Sequence, residues 1–239
     1  MLKDLRVLLR YLTVSGRWLG RRGRIGRWKQ VIDLDVWSGP HALRSVHLSH
    51  FLPSDSPVQI CIDFRDQHDF ELPTAERLAL LYMTRLIEPL VVFEIGTFTG
   101  STSVTIAGAL SSSSVVHTLD LPPGENPHEP RIHEQVGSAF ASYDGSGAQI
   151  QQHWGDSTTF DFSPWQNKVD MVFIDGSHEY YAVMSDSINA MKMVRPGGMI
   201  VWDDYQPRLS GVVCALQELA RSYEILHLRG TRLAAMRVP

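Results

Sequence analysis

The fold of this chain is decided by residues 91–103, which read Val-Val-Phe-Glu-Ile-Gly-Thr-Phe-Thr-Gly-Ser-Thr-Ser. A largely apolar run ends at Gly96, and small hydroxyl residues follow a second glycine, Gly100. This pattern predicts a β-strand, a tight turn and the start of a helix. Glycine permits positive φ and a close approach of a ligand to the backbone, and a helix start offers free N–H groups. The turn is therefore either an ordinary connection or part of a binding site.

Length and composition indicate one α/β domain with an extension. The chain has 239 residues, of which 44% are hydrophobic and 20% charged, as in globular proteins. Its two cysteines, Cys61 and Cys214, are far apart, which favours a reducing compartment over a disulfide scaffold. We see no apolar run long enough to cross a membrane and no good signal peptide. We therefore expect a cytoplasmic protein without a transmembrane segment.

Basic residues are concentrated near the N-terminus. Nine of the 22 lysines and arginines lie in residues 1–29, and the whole chain carries −4. The body of the chain is thus acidic, and we do not expect it to bind nucleic acid. Leucines at helical spacing predict an amphipathic helix over residues 2–14. We interpret this arm as a docking or homodimer-forming segment; the alternatives are peripheral contact with a membrane surface or an acidic partner, and disorder.

Apolar runs and helical patterns alternate along the rest of the chain. We predict strands over 91–95, 115–120, 148–153, 169–175, 199–202, 224–229 and 233–238, with a further short one over 58–62, and helices over 73–87, 101–110, 131–143, 179–194 and 210–222. Continuous apolar strands indicate a parallel sheet covered on both faces. The pattern predicts a doubly wound α/β fold with a mostly parallel seven-stranded sheet, which an antiparallel hairpin closes. We divide the chain into an N-terminal basic arm and helical extension over 1–71 and one domain over 72–239.

Polar residues follow the strand ends of the predicted sheet, where ligands bind in such folds. They are Glu94, Gly96, Asp120, Asp156, Asp175, His178, Asp203 and Asp204. Asp120 lies 24 positions after Gly96, a place from which an acid can bind ribose hydroxyls. Phe98 occupies the second glycine position of the dinucleotide fingerprint, and a pyrophosphate would approach it badly. We therefore expect a nucleoside ligand that has no diphosphate.

The stretch from Glu94 to Gly100 resembles motif I of class I S-adenosylmethionine (SAM)-dependent methyltransferases, and the resemblance extends over residues 72–239. It implies a Rossmann-like methyltransferase fold. The motifs Phe-Ile-Asp-Gly-Ser-His, ending at His178, and Pro-Gly-Gly-Met-Ile-Val-Trp-Asp-Asp-Tyr, ending at Tyr205, resemble those of metal-dependent small-molecule O-methyltransferases, including the catechol and macrocin types. The Asn-Pro-Pro-Tyr-type tetrapeptide of many amino-group methyltransferases is missing, which disfavours a nucleobase or protein N-methyltransferase.

The resemblance implies roles for matching positions. Glu94, Gly96, Phe98 and Ser101 would bind the methionine part of SAM, Asp120 the ribose, and Gly155, Asp156 and Ser157 would border the adenine. The full cofactor-binding set that we predict is Glu94, Gly96, Thr97, Phe98, Gly100, Ser101, Asp120, Gly155, Asp156, Ser157 and Asp175.

The acids at two neighbouring strand ends predict a metal site. Asp175, Asp203 and Asp204 would repel one another unless protons or a hard cation intervene, and oxygen ligands favour Mg²⁺, or else Ca²⁺ or Mn²⁺. Alternatively, these aspartates cap helices or hold loops. Methyl transfer to a hydroxyl needs a base, and His178 and Asp175 are the catalytic candidates. His178 stands where catechol O-methyltransferase has a lysine, so a role in holding the cofactor or loop is the alternative.

We carry three hypotheses from the sequence. The first is a Mg²⁺-dependent O-methyltransferase that uses SAM to methylate a small molecule of sugar, phenol or polyketide type in natural-product biosynthesis. The second is a metal-independent methyltransferase with an N, O or C acceptor. The third is a non-catalytic binding protein with the same fold. Intact Glu94, Asp120 and three aspartates argue against the third, and no motif selects the acceptor.

Overall fold

The described part of the chain forms one eight-stranded sheet with helices on both faces. The computed structural model describes residues 42–51, 71–125 and 136–239. Its elements are β1 (Ser45–Val46), α1 (Thr74–Ile87), β2 (Val91–Ile95), α2 (Ser101–Ala109), β3 (Val115–Asp120), β4 (Gln149–Trp154), β5 (Val169–Ile174), α3 (Tyr180–Met193), β6 (Val194–Trp202), α4 (Ser210–Leu219), β7 (Leu226–Leu228) and β8 (Ala234–Arg237). Short 3-10 helices cover Leu48–His50, Ser138–Ser142 and Ser163–Trp165.

The strand order is β1-β7-β8-β6-β5-β2-β3-β4. Only β8 is antiparallel to its neighbours, β6 and β7; every other pair is parallel. The order reverses beside β2, where β5 pairs on one side and β3 on the other. A crevice at such a reversal, beyond the carboxyl ends of the strands, is where doubly wound folds bind ligands. The predicted fold is therefore confirmed.

Apolar packing covers both faces of the sheet. All six residues of β5 are buried, and on β2 the neighbours Val92 and Phe93 belong to the cores of opposite faces. Helices α1 and α2 pack together, as do α3 and α4. Such two-sided burial explains why the strands read as continuous apolar runs. No helix among the described residues is long and apolar enough to cross a membrane.

Three details differ from the sequence prediction. An eighth strand, β1, comes from the segment assigned to the extension and pairs with β7. Two residues are too short to show strand periodicity. The described part of the helix predicted over 131–143 is a turn and the 3-10 helix Ser138–Ser142. β6 begins at Val194 rather than 199, because Arg195–Gly198 bulge out between the pairs Val169–Val194 and Met171–Met199.

Several predictions lie outside the described residues. They are the amphipathic helix over 2–14, the basic arm over 1–29 and the short strand over 58–62. The domain boundary at 71/72 stays a prediction.

Candidate functional site

The turn after β2 is in direct contact with the end of β5. Gly96 adopts φ +100°, and a Cβ built on it would lie 2.0 Å from the carbonyl oxygen of Asp175. The amide of Asp175 in turn donates to the carbonyl of Ile95 at 2.8 Å. Glycine is required at this position, both for the positive φ and for the close backbone contact. The geometry brings the glycine-rich turn and the first aspartate of the predicted metal site together.

Asp120 fixes the conformation of the same turn. Its Oδ2 accepts hydrogen bonds from the amides of Thr97 and Phe98 at 3.0 and 2.8 Å, and its Oδ1 accepts one from the amide of Leu121 at 2.7 Å. Phe98 has φ +47°, an uncommon value for a residue with a side chain. Asp120 is part-exposed, and its Oδ1 retains capacity for another donor. It can therefore hold the turn and still accept a ribose hydroxyl.

Glu94 lies beneath the turn with no exposed surface. Its Oε2 accepts hydrogen bonds from the Ser103 and Thr118 hydroxyls, while Oε1 has no partner among the described residues. Burial raises the pKa of Glu94 to about 7. A carboxyl so placed cannot touch a ligand on the open side of the turn in this conformation. A direct contact between Glu94 and the cofactor stays a prediction.

A buried ion pair holds the second half of the turn. Arg77 on α1 pairs with Glu71 at 3.2 Å, and their side chains are only 7% and 8% exposed. Arg77 also donates to the Ser101 hydroxyl at 3.2 Å, and Glu71 accepts from the Thr99 hydroxyl at 2.9 Å. Both hydroxyls flank Gly100, the residue before α2. The pair thus fixes the N-terminus of α2, an end that attracts negative groups.

The three predicted metal ligands converge at the carboxyl ends of β5 and β6. Asp175, Asp203 and Asp204 each offer one oxygen within 4.8 Å of the others. Burial and the neighbouring aspartates raise the pKa of Asp175 well above its usual range, and burial with Asp204 raises that of Asp203 to about 7. Burial and neighbouring like charges thus both oppose ionisation of Asp175 and Asp203, and burial is the larger cause. We call these three residues the aspartate cluster.

An arginine from the closing hairpin enters the aspartate cluster. The Arg232 guanidinium contacts Asp203 Oδ2 at 3.0 Å and Asp204 Oδ1 at 3.1 Å. Its backbone amide donates to Glu76 Oε1 on α1 at 2.9 Å. Sequence reasoning missed this residue, because nothing local to the turn between β7 and β8 indicates that it reaches the ends of β5 and β6.

His178 lies at the rim of the aspartate cluster. Its side chain is 50% exposed, and its Nε2 lies 2.7 Å from Asp204 Oδ2. The hydrogen bond to Asp204 raises the pKa of His178. Burial opposes ionisation of Asp204, but His178 and Arg232 outweigh it and lower the pKa of that carboxyl. A small recess lies between Asp175, His178 and the two aspartates that follow β6. A ligand in this recess would face the imidazole.

The loop after β4 contributes further polar groups to this edge. Asp156 is exposed, and its Oδ1 accepts from the amide and hydroxyl of Thr158 at 2.8 and 2.7 Å. Gly155 and Ser157 are part-buried. Helix α3 places Asp186 behind this loop, fully buried near Gly176. Burial raises the pKa of Asp186 to about 6, which the Ser157 hydroxyl partly opposes.

The structure thus gathers every predicted site residue at one edge of the sheet, and it adds Arg232, Asp186 and the Glu71–Arg77 pair. Asp186 had a readable signal, since it occupies the buried stripe of α3 together with Val183, Ser187 and Ala190. A carboxylate on an apolar helix face is unusual enough to be noted from sequence alone. The remaining additions depend on contacts between distant segments.

Residues 93–205 match a family model described as a methyltransferase domain. This segment, just under half of the chain, is therefore similar to methyltransferase domains. Among curated proteins, the uncharacterized protein R132 of Acanthamoeba polyphaga mimivirus is 50% identical over 40 residues, a match that spans 17% of this chain and 18% of that protein.

The solved structures that resemble the chain include several O-methyltransferases. TomG from Streptomyces achromogenes, an O-methyltransferase of tomaymycin synthesis in complex with SAM, is 22% identical with a TM-score of 0.53, covering 72% of this chain and 83% of that one. An O-methyltransferase from Bacillus cereus, in complex with SAH, is 18% identical with a TM-score of 0.54, covering 71% and 84%. Podospora anserina methyltransferase PaMTH1, also SAH-bound, is 15% identical with a TM-score of 0.56, covering 71% and 80%. The class I methyltransferase fold that the sequence predicted is confirmed.

Proposed function

We propose that this protein transfers a methyl group from SAM to a hydroxyl of a small molecule, with a divalent cation, most simply Mg²⁺, at the aspartate cluster. The observation that carries the proposal is the convergence of the glycine-rich turn and the aspartate cluster at one edge of the sheet, within contact of each other at Gly96 and Asp175. The SAM and SAH complexes of the structural neighbours support the cofactor.

The residues present fit a hard cation on two grounds. Asp203 Oδ1 is buried and has no hydrogen-bond partner among the described residues. Mg²⁺ prefers oxygen ligands, and the three carboxylates each offer one oxygen within 4.8 Å of the others. Asp175, Asp203 and Asp204 would hold the ion, which would lower the pKa of an acceptor hydroxyl and orient its oxygen.

In the proposed reaction, a lone pair of the acceptor oxygen forms the new C–O bond as the C–S bond of the sulfonium breaks, with its electron pair left on sulfur as SAH. The hydroxyl proton goes to His178. Asp204 holds the Nε2 side of that imidazole, which leaves Nδ1 to accept the proton. Asp175 is the weaker candidate for the base, because burial favours its protonated form. The chain thereby supplies orientation and a proton acceptor, while SAM supplies the activated methyl group.

A metal-independent methyltransferase is the second candidate, and Arg232 is the observation that favours it. Its guanidinium already compensates two of the three carboxylates without an ion. In that case the acceptor could be N, O or C, and His178 would act without help from a cation.

Calorimetric titration of the full-length protein with SAM and SAH, in Mg²⁺ and in EDTA, separates the candidates. Asp120→Ala is the variant in which the ribose contact is lost, and Asp144→Ala, an exposed aspartate of a remote turn, is its control. Binding that Asp120→Ala weakens and Asp144→Ala preserves supports the SAM site. No binding to the wild type contradicts both methyltransferase candidates and favours a non-catalytic protein.

The acceptor is then sought with methyl-labelled SAM against separate panels of catechols and other phenols, sugars and polyketides. Turnover that EDTA abolishes and Mg²⁺ restores supports the metal-dependent candidate. Turnover that is indifferent to EDTA and to Asp203→Ala contradicts it.

A further inference from the structure

The contacts of Arg232 distinguish it from the other arginines of the described chain. Its guanidinium reaches acids on two sides: Asp203 and Asp204 at the end of β6, and Glu76 on α1, whose Oε1 lies 3.6 Å from Nε. The side chain is only 30% exposed, and the Asp203 and Glu76 side chains are 4% and 6% exposed. An arginine stays charged in any such setting. Arg232 is therefore a permanent positive charge placed inside a crowded group of acids.

The local charges do not balance without it. Asp175, Asp203, Asp204 and Glu76 form one electrostatically connected group, and the positive partners that face it are Arg232 and, when protonated, His178. Carboxylates this close repel one another strongly when few waters screen them. Removing one partner of a buried ion pair leaves an uncompensated charge, which is far more costly than the pair is stabilising. Arg232 thus lets the aspartate cluster exist in the chain without a bound ion.

The cluster nevertheless keeps free ligand capacity. Asp203 uses only Oδ2 for Arg232, and its buried Oδ1 has no partner among the described residues. Asp204 uses both oxygens, one for Arg232 and Gln206 and the other for His178. The Asp175 carboxylate offers an oxygen within 4.8 Å of an oxygen of each of the other two aspartates. Of the three proposed ligands, Asp203 thus has a free oxygen for a divalent cation, while the guanidinium binds the other oxygen of the same carboxylate.

We propose that Arg232 is the resident counter-cation of the aspartate cluster and that it competes with a divalent ion for the same negative charge. This inference rests on the cation site of the proposed function. Arg232 holds Asp203 and Asp204 in ligand-ready positions and at the same time weakens cation binding, because two like charges share one carboxylate. It is a positioning residue that sets how much free cation the site needs.

The test uses the full-length protein, with Mg²⁺ and Mn²⁺ as the cation probes. Arg232→Gln removes the charge and keeps most of the side-chain length. Arg229→Gln is the matched control, because it removes an arginine three residues away that is exposed and contacts His47. We expect Arg232→Gln to lower Tm in EDTA by several degrees, and saturating Mn²⁺ to restore it. We expect calorimetry to show Mn²⁺ binding at least about tenfold tighter than in the wild type, and Arg229→Gln to match the wild type throughout.

A second variant keeps the test decisive if Arg232→Gln alone does not fold. The double variant Arg232→Gln/Asp203→Asn removes one negative charge together with the positive one. We expect it to fold in EDTA with Tm near that of the wild type, and to lose the stabilisation by Mn²⁺. A double variant that is as unstable as Arg232→Gln would overturn the inference, since the arginine would then act by packing and not by charge.

Two further outcomes would overturn it. The first is that Mn²⁺ binds the wild type and Arg232→Gln with equal affinity. The second is that Arg232→Gln has a lowered Tm that no divalent ion restores. SAM titrations of the same samples separate this inference from the proposed function. If Mn²⁺ acts as expected but SAM does not bind, only the methyltransferase proposal is contradicted. If SAM binds normally but Mn²⁺ does not act as expected, only the role of Arg232 is contradicted.

Discussion

The two halves of the candidate site are held by different forces. The first half of the glycine-rich turn, around Gly96, is fixed by backbone geometry and hydrogen bonds: Gly96 has positive φ, Asp120 accepts from two amides, and Glu94 accepts from two hydroxyls. The aspartate cluster is fixed by charge, through Arg232 and His178. The first half of the turn should therefore be insensitive to added ions and sensitive to substitutions that change its shape. The aspartate cluster should be sensitive to added ions and to substitutions that change its charge. Each prediction below tests one side of this contrast.

The largest effect should come from Gly96→Ala, which attacks the turn by shape alone. The new Cβ would lie 2.0 Å from the Asp175 carbonyl oxygen, so the backbone must move. We expect a loss of about 4 kcal/mol or more in the free energy of unfolding, measured by urea denaturation, and no rescue by Mg²⁺.

Gly145→Ala is the control for Gly96→Ala. Gly145 also has positive φ, +71°, but its Cβ would meet nothing within 4 Å. Gly145→Ala should lower the free energy of unfolding by only about 1 kcal/mol, because only the strain of the backbone angle is added. Equal losses in the two variants would show that the contact with Asp175 is not what fixes the turn.

The next effect concerns pH and the buried acid beneath the turn. Glu94 has a pKa near 7 in the native state against 4.5 for the ordinary group. Between these values the native state keeps a proton that the unfolded chain releases, so rising pH removes up to about 3 kcal/mol of stability. Above pH 7 this loss is complete. Glu94→Gln should remove this part of the decline, as measured by urea denaturation at pH 5 and pH 8, and leave the parts that come from Asp175, Asp186 and Asp203.

The exposed Glu224→Gln provides the comparison for Glu94→Gln. Its side chain is 72% exposed, and we expect the pH dependence of the wild type to persist. If Glu94→Gln also keeps the wild-type decline, the burial of Glu94 does not set its protonation.

A smaller effect is expected on catalysis at the rim of the cluster. Once an acceptor is known, His178→Gln should lower kcat about a hundredfold, because the variant lacks a proton acceptor, while SAM affinity stays unchanged. Steady-state kinetics with calorimetry check both parts. His50→Gln, at an exposed position, should retain wild-type kcat, and an unaltered kcat in His178→Gln would assign the base elsewhere.

The smallest effect is expected for an exposed ion pair. Arg44 and Glu224 form an ion pair at 2.7 Å, but their side chains are 61% and 72% exposed. Water screens such pairs, so Arg44→Gln should change the free energy of unfolding by less than about 0.5 kcal/mol. A loss as large as that of Arg232→Gln would mean that burial does not distinguish the two arginines.

Most of the fold was predictable because its signals are local. β2, β5 and the helix α1 have nearly the predicted bounds, since apolar runs, glycines and Pro73 mark their ends. β1 escaped prediction because its two residues form a strand only through pairing with β7. The start of β6 was predicted too late, because the Pro-Gly-Gly segment reads as the end of a helix. The bulge through which the strand already begins at Val194 has no signal in the sequence.

The candidate site likewise has a part that the sequence predicted and a part that it did not. The carboxyl ends of parallel strands share one edge of the sheet, so strand assignment alone placed Asp120, Asp175 and Asp203 near one another. The Glu71–Arg77 pair could not be assigned to the site, since it acts through Thr99 and Ser101, which are 28 and 24 positions from their partners. Asp186 is unusual within its helix, but its place beside Ser157 of the loop after β4 depends on tertiary packing.

The sequence by itself determined the strand–turn–helix at residues 91–103 and the order of acids along one sheet edge, because both follow from glycine, periodicity and chain direction. The tertiary structure alone decided how those acids are charged and held. Burial, and not residue type, raises the pKa of Glu94 and Asp203, and the closing hairpin brings Arg232 to acids almost 30 positions away. Electrostatic interactions depend on distance in space and on exclusion of water, and neither is written in local sequence.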